Sequence, residues 1–140
     1  MTERKPPLPV VEDSDEDFEA IERVLTMGIA EVVRAKTGDH GLALLRASDL
    51  RSRAVVVLLD LNTPGSEGRE VLREIKADEA LRVIPVIVFA TSANPNDIAA
   101  CYRGGANSYH LKPLELHAFE SRVTAIAKYW IDHVVLMEKD

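Results

Sequence analysis

Four charged residues of this chain directly follow apolar segments, and together they suit one kind of chemistry. Glu12 and Asp13 come after the apolar run Leu8–Val11, Asp60 follows a run with three consecutive valines, and Lys112 follows another apolar run. Carboxylates brought close together repel one another unless a cation lies among them, and two or three carboxylates suit Mg²⁺. A lysine ammonium opposite them can bind a phosphate oxygen. If these side chains converge, they predict a magnesium-dependent phosphoryl site with Asp60 as nucleophile.

Asp60 taken alone has a simpler interpretation, because an aspartate can merely end a strand or cap the next helix. The run Ala54–Leu59 that precedes it is apolar throughout and rich in β-branched residues, which predicts a strand buried on both faces. The Asn-Thr-Pro-Gly that begins at Asn62 is typical of a turn. We therefore expect the carboxylate of Asp60 at the mouth of a sheet rather than inside it.

Apolar segments that predict strands alternate with segments of helical spacing along the chain. The predicted strands are 8–11, 29–35, 54–59, 83–89 and 106–111, and the predicted helices are 14–28, 40–47, 67–76, 96–103 and a long helix after Pro113. This alternation with short connections predicts a parallel sheet with helices on both faces. Ligands of such sheets bind outside the carboxyl ends of the strands, where Glu12, Asp13, Asp60, Lys112 and also Thr91 and Ser92 fall. The pattern predicts a single site.

Composition limits the class of protein. The chain has 140 residues, of which 46% are hydrophobic and 29% charged, as expected for one globular domain. Its formal net charge of -6 argues against non-specific binding to nucleic acid or to an anionic membrane. Cys101 cannot form an intramolecular disulfide, and there is no signal-peptide or membrane-spanning apolar run, so the expected location is the cytoplasm. We expect a flexible leader at 1–8, one domain at 9–131 and an extension of the last helix at 132–140.

At this point the chain resembles a known family, the receiver domain of two-component response regulators. The motifs are VVEDSDED, LLDLNTPGSEG, IPVIVFATS and GANSYHLKP, in this order. The resemblance implies a flavodoxin-like, doubly wound (βα)5 fold with a five-stranded parallel sheet of order 2-1-3-4-5. It also implies a sensor histidine kinase as partner and a site in which Asp60 is the phosphoacceptor and Lys112 contacts the phosphoryl group. The implied metal ligands for Mg²⁺ are Asp13 and Asp60 directly, Glu12 through water, and the backbone carbonyl of Asn62.

Further residues are similar to the small single-domain regulators of phytochrome-type light-sensing histidine kinases. They are the LLDLN start, the Ile75-Lys76 pair, the TSxxxxDI motif from Thr91 to Ile98, and the Tyr129-Trp130 pair. This resemblance implies a bacteriophytochrome as the kinase.

The last helix carries an apolar stripe that can pack on the core. The apolar residues Val134–Met137 follow this helix, and the predicted sheet has no sixth strand for them to pack against. We therefore expect a homodimer through the last helix and its extension.

The chain departs from the family at one switch position. Family members have a Thr or Ser five residues after the proline of the fourth strand, and the hydroxyl of this residue binds the phosphoryl group. Counted from Pro85, that position is Ala90, and alternation along a strand would point Thr91 to the other side unless the strand has ended or bulged. Thr91 is then a substitute switch only if the register shifts. The second switch residue, an aromatic three positions before the lysine, is present as Tyr109.

Three functions fit these residues. A stand-alone receiver that signals by contact agrees best with the motifs, and we expect no turnover of a substrate. A small Mg²⁺-dependent phosphohydrolase of the haloacid dehalogenase type needs an acid two residues after the nucleophile, where this chain has Asn62. A degenerate receiver that acts as a binding module is supported only by Ala90.

Overall fold

The computed structural model describes residues 5–47, 56–62 and 68–137. The strands are β1 (Pro7–Val11), β2 (Glu31–Ala35), β3 (Val57–Leu59), β4 (Val86–Ala90) and β5 (Ser108–Leu111). The helices are α1 (Asp15–Leu25), α2 (Gly38–Arg46), α3 (Gly68–Ala77), α4 (Pro95–Arg103) and α5 (Leu116–Lys128), followed by a π-helical turn at Tyr129–His133. All strand pairs are parallel, and the sheet order is β2-β1-β3-β4-β5. The predicted flavodoxin-like, doubly wound fold is confirmed.

The sheet separates two apolar layers, and β4 contributes to both of them. Val86, Val88 and Ala90 belong to the layer that contains buried residues of α2, α3 and α4. Ile87 and Phe89 belong to the opposite layer, with buried residues of α1 and α5. Every side chain of a strand that is buried on both faces lies in an apolar layer, which explains why the sequence of β4 is an unbroken apolar run.

The bounds of β4 differ from the sequence prediction of 83–89. Val83 is 39% exposed and lies outside the strand, whereas Ala90 is its last residue and pairs with Leu111. The main-chain N–H of Lys112 continues the ladder by donating to the carbonyl of Ala90 at 2.8 Å. The strand therefore keeps its alternation through Ala90, which fixes the side of the sheet on which that side chain lies.

The C-terminal segment departs from the expected helix. The π-helical turn ends at His133, and Val134 has an extended backbone with φ -82° and ψ 136°. Trp130, Ile131 and Leu136 pack back against the α1 and α5 layer. The last helix therefore does not continue through residues 134–137 as expected, because this segment turns back to place Leu136 on the core. None of the described helices has the length and apolar character needed to cross a bilayer.

Candidate functional site

Three carboxylates meet at the carboxyl ends of β1 and β3. Glu12 follows β1 and donates its N–H to the carbonyl of Ala35, and Asp60 follows β3 and donates its N–H to the carbonyl of Val11. Oxygen atoms of Glu12, Asp13 and Asp60 all lie within 4.8 Å of one another. Glu12 is 2% exposed and Asp60 is 7% exposed, whereas Asp13 is open to solvent. This set of hard oxygen donors around a crevice fits a divalent cation.

Lys112 brings a positive charge to the same crevice from the end of β5. Its Nζ lies 2.7 Å from Glu12 Oε1, 2.9 Å from Asp17 Oδ2 and 3.7 Å from Asp60 Oδ1. The side chain of Lys112 is only 6% exposed. The structure thus brings together Glu12, Asp13, Asp60 and Lys112, the residues that the sequence placed at strand ends.

The electrostatics of the crevice favour an added cation. Burial raises the pKa of Glu12 from 4.5 to about 7, with the charge of Lys112 opposing the rise and that of Asp60 adding to it. Burial lowers the pKa of Lys112, but the charges of Glu12 and Asp60 and the bonds to Glu12 and Asp17 outweigh burial and raise it above its ordinary value. One lysine therefore neutralises only part of the carboxylate charge, and a divalent cation would offset the rest.

Arg34, near the end of β2, fixes the backbone of the acidic pair and was not anticipated from the sequence. Its Nε donates to the carbonyl of Glu12 at 3.1 Å, and its Nη2 donates to the carbonyl of Asp13 at 3.3 Å. Its Nη1 lies 2.8 Å from Asp15 Oδ1, and the guanidinium lies 4.5 Å from the ring centre of Phe18. These contacts hold the turn after β1 from outside the crevice. The one sequence signal was an arginine near the end of a strand expected beside β1.

The two candidate switch positions lie on opposite sides of the end of β4. Ala90 is 1% exposed and lines a small polar cavity with Leu61, Asn62 and Ser92. Thr91 is exposed and lines a different groove, together with Lys112 and Phe119. The strand alternation expected from the sequence therefore continues to this point, and no bulge brings the Thr91 hydroxyl to the place of Ala90.

Tyr109 in β5 is bonded to the segment that follows β4. Its hydroxyl donates to the carbonyl of Ser92 at 2.7 Å. The hydroxyl of Ser92 in turn donates to Asp97 Oδ2 at 2.6 Å, in the first turn of α4. The segment after β4 is thus tied to β5 by Tyr109 and to α4 by the bond between Ser92 and Asp97.

The chain belongs to the response regulator receiver domain family, whose model matches residues 8–124. Members of this family accept a phosphoryl group from sensor histidine kinases and are regulators rather than classical enzymes. The chain is homologous to single-domain response regulators. The phosphohydrolase interpretation is therefore set aside.

Relatives agree with this assignment in sequence and in structure. The response regulator Rcp1 of Synechocystis is 34% identical, with 91% of this chain and 90% of the relative covered. The Mn²⁺-bound crystal structure of Rcp1 matches with a TM-score of 0.85 at 33% identity, covering 94% of this chain and 99% of that one. The phosphorylated cyanobacterial phytochrome response regulator RcpA matches with a TM-score of 0.86 at 34% identity, covering 96% and 99%. The acidic cluster and the similarity to the Mn²⁺-bound structure together indicate divalent-metal binding.

Proposed function

We propose that this protein is a single-domain response regulator that accepts a phosphoryl group from a histidine kinase onto Asp60 with the help of Mg²⁺. One observation carries the proposal, namely that the Asp60 carboxylate lies within 4.8 Å of two further carboxylates and 3.7 Å from the Lys112 ammonium. Such a site can neutralise the charge of a phosphoryl group and leave a carboxylate as its acceptor.

Each residue has a separate role in the proposed transfer. A carboxylate oxygen of Asp60 forms a bond to phosphorus while the bond from phosphorus to the kinase histidine nitrogen breaks, and the electron pair stays on that nitrogen. Asp13, Asp60 and the backbone carbonyl of Asn62 would hold the metal directly, and Glu12 would hold it through water. Mg²⁺ supplies positive charge for the phosphoryl oxygens when bound. Lys112 contacts a phosphoryl oxygen from the other side.

Labelling with radioactive acetyl phosphate tests this function. Wild-type protein with Mg²⁺ should retain label, and Asp60→Asn should remove it because the amide cannot serve as the acceptor. Asp132→Asn, which changes an exposed aspartate far along the chain, should label like the wild type. Rapid release of phosphate would indicate a hydrolase, and label that persists in Asp60→Asn would refute the proposed acceptor.

We also propose a bacteriophytochrome as the kinase. The support is the similarity to RcpA, which is named as a phytochrome response regulator, and to RPA3017, a response regulator in red light signalling of R. palustris at 27% identity and a TM-score of 0.81. A purified phytochrome kinase should transfer phosphate to this chain faster than a histidine kinase without a light-sensing domain. Equal rates from both kinases would contradict this partner.

A homodimer through the last helix and the segment after it is our third proposal. Tyr129, Val135 and Met137 are 56%, 96% and 64% exposed. Tyr129 lines a groove together with residues of β5 and α5, including His110, Arg122 and Ile126. Apolar side chains around an open groove are typical of a surface that meets another protein.

A further inference from the structure

We propose that Asp17 is a positioning residue for Lys112, an inference that rests on the function proposed above. Asp17 lies in the first turn of α1, where Ser14 caps the helix by accepting the main-chain N–H of Asp17 at 3.1 Å. Its Oδ2 accepts a hydrogen bond from Lys112 Nζ at 2.9 Å. Since the cap fixes the start of the helix, the Asp17 carboxylate has a defined place beside the crevice.

The bonds of Lys112 explain what Asp17 contributes. A lysine ammonium has three N–H donors, and two of them are used by Glu12 Oε1 and Asp17 Oδ2. The distance of 3.7 Å from Nζ to Asp60 Oδ1 is longer than a hydrogen bond. The ammonium is therefore held close to Asp60 without bonding it, and one donor is left for an oxygen of a phosphoryl group on Asp60.

Loss of Asp17 would shift the Lys112 ammonium toward Asp60. The Lys112 side chain is only 6% exposed. The N–H group that loses Asp17 as its acceptor can therefore form few hydrogen bonds to water in exchange. Glu12 is already bonded to the ammonium, and the next carboxylate beside it is that of Asp60 at 3.7 Å, so the ammonium would move onto Asp60. A direct ion pair would occupy the oxygen that must attack phosphorus and would have to be broken before a phosphoryl group could bind. Phosphorylation and the binding of phosphoryl analogues should both weaken.

The neighbouring acids of α1 have other contacts or none. Asp15 pairs with Arg34 and Lys36 rather than with Lys112. Glu16 is exposed and makes no ion pair with the described basic residues. Asp17 is thus distinguished from its neighbours by geometry, although all three share the negative charge that favours a helix N-terminus.

Beryllofluoride, an analogue of the phosphoryl group, provides the first measurement. In the full chain with Mg²⁺, Asp17→Asn should bind beryllofluoride roughly tenfold more weakly, as expected for one charge-assisted hydrogen bond. Glu16→Gln removes a charge from the same turn and should bind like the wild type, while Asp17→Glu should recover part of the affinity. Thermal melting followed by circular dichroism checks that each variant is folded. Wild-type affinity in Asp17→Asn would refute the inference.

A double-mutant cycle separates positioning from a general effect on the fold. Labelling rates at high acetyl phosphate should fall by roughly tenfold in Asp17→Asn, but the same change in a Lys112→Met background should have no further effect. An equal loss in both backgrounds would refute the role through Lys112. If the wild type itself neither labels nor binds beryllofluoride, the proposed function fails first, whereas a wild type that labels with an unaffected Asp17→Asn variant refutes this inference alone.

Discussion

At the scale of single residues, Glu12 links the stability of the fold to pH. Its pKa is raised from 4.5 to about 7, chiefly by burial. A carboxyl group with a raised pKa in the folded state stabilises the fold fully below its unfolded pKa. That contribution is lost as pH rises from about 4.5 to about 7. Bound divalent metal would favour the carboxylate form and reverse the preference.

We therefore expect Glu12 to contribute to the free energy of unfolding of metal-free protein a component that falls as pH rises from about 4.5 to about 7. Urea unfolding in the presence of a chelator should show it as a difference between the wild type and Glu12→Gln, which cannot titrate. The difference is needed because Asp15, Asp78 and Glu115 have lowered pKa values and make the opposite contribution. Parallel pH profiles for the two proteins would contradict the prediction.

Ala90 should limit how strongly phosphorylation of Asp60 is transmitted. A hydroxyl at this position would donate to the charged phosphoryl group, and such a bond is worth roughly 1.5 to 3 kcal/mol. That energy corresponds to about a ten- to hundredfold change in the ratio of inactive to active states. Ala90→Thr should therefore enlarge the chemical-shift changes that phosphorylation causes around Tyr109 in NMR spectra.

Thr91→Ala is the matched control for this prediction. Because Thr91 lines the groove with Lys112 and Phe119 rather than the cavity beside Ala90, its hydroxyl should contribute little to switching. A response that disappears in Thr91→Ala would make Thr91 the working switch and would contradict the alternation argument.

At the scale of elements, β2 supports a site that its own residues do not enter. Arg34 donates to the carbonyls of Glu12 and Asp13 and so sets the direction of the turn that carries both carboxylates. Arg34→Lys keeps the positive charge but loses the planar fork that reaches two carbonyls at once. We expect it to bind Mg²⁺ several-fold more weakly, measured by titration calorimetry. Arg23→Lys, at an arginine paired with Glu120 on the surface, should bind like the wild type.

The sequence predicted the elements well where burial on both faces leaves an unbroken apolar run, as in β4. It also predicted the convergence of Glu12, Asp60 and Lys112, because the carboxyl ends of parallel strands meet at one edge. It did not predict the contacts of Asp17 or Arg34. These depend on distances across α1, β2 and β5, and the acids at the start of α1 all have the same local pattern. Strand β4 begins later than the sequence predicted, because Val83 is exposed and precedes the strand.

At the scale of the whole molecule, the segment after α5 has two different faces. Leu136 packs on the core together with Trp130 and Ile131, while Val135 and Met137 point outward. Truncation after Trp130 would therefore remove packing from the monomer as well as exposed side chains. A change in oligomeric state after truncation would have two explanations. Substitutions at the outward positions alone separate the interface from the fold.

The double variant Val135→Asp, Met137→Asp should convert a dimer to a monomer in light scattering. Full burial of each side chain in a dimer would be worth roughly 1.5 to 3 kcal/mol, and a carboxylate at the same place would have to be desolvated. Met27→Asp changes a methionine that is 79% exposed and follows the C-terminal end of α1, and it should leave the dimer intact. The thermal stability of the monomer should hardly change, because neither residue belongs to the core. A wild-type chain that is monomeric at high micromolar concentration would contradict the proposed dimer.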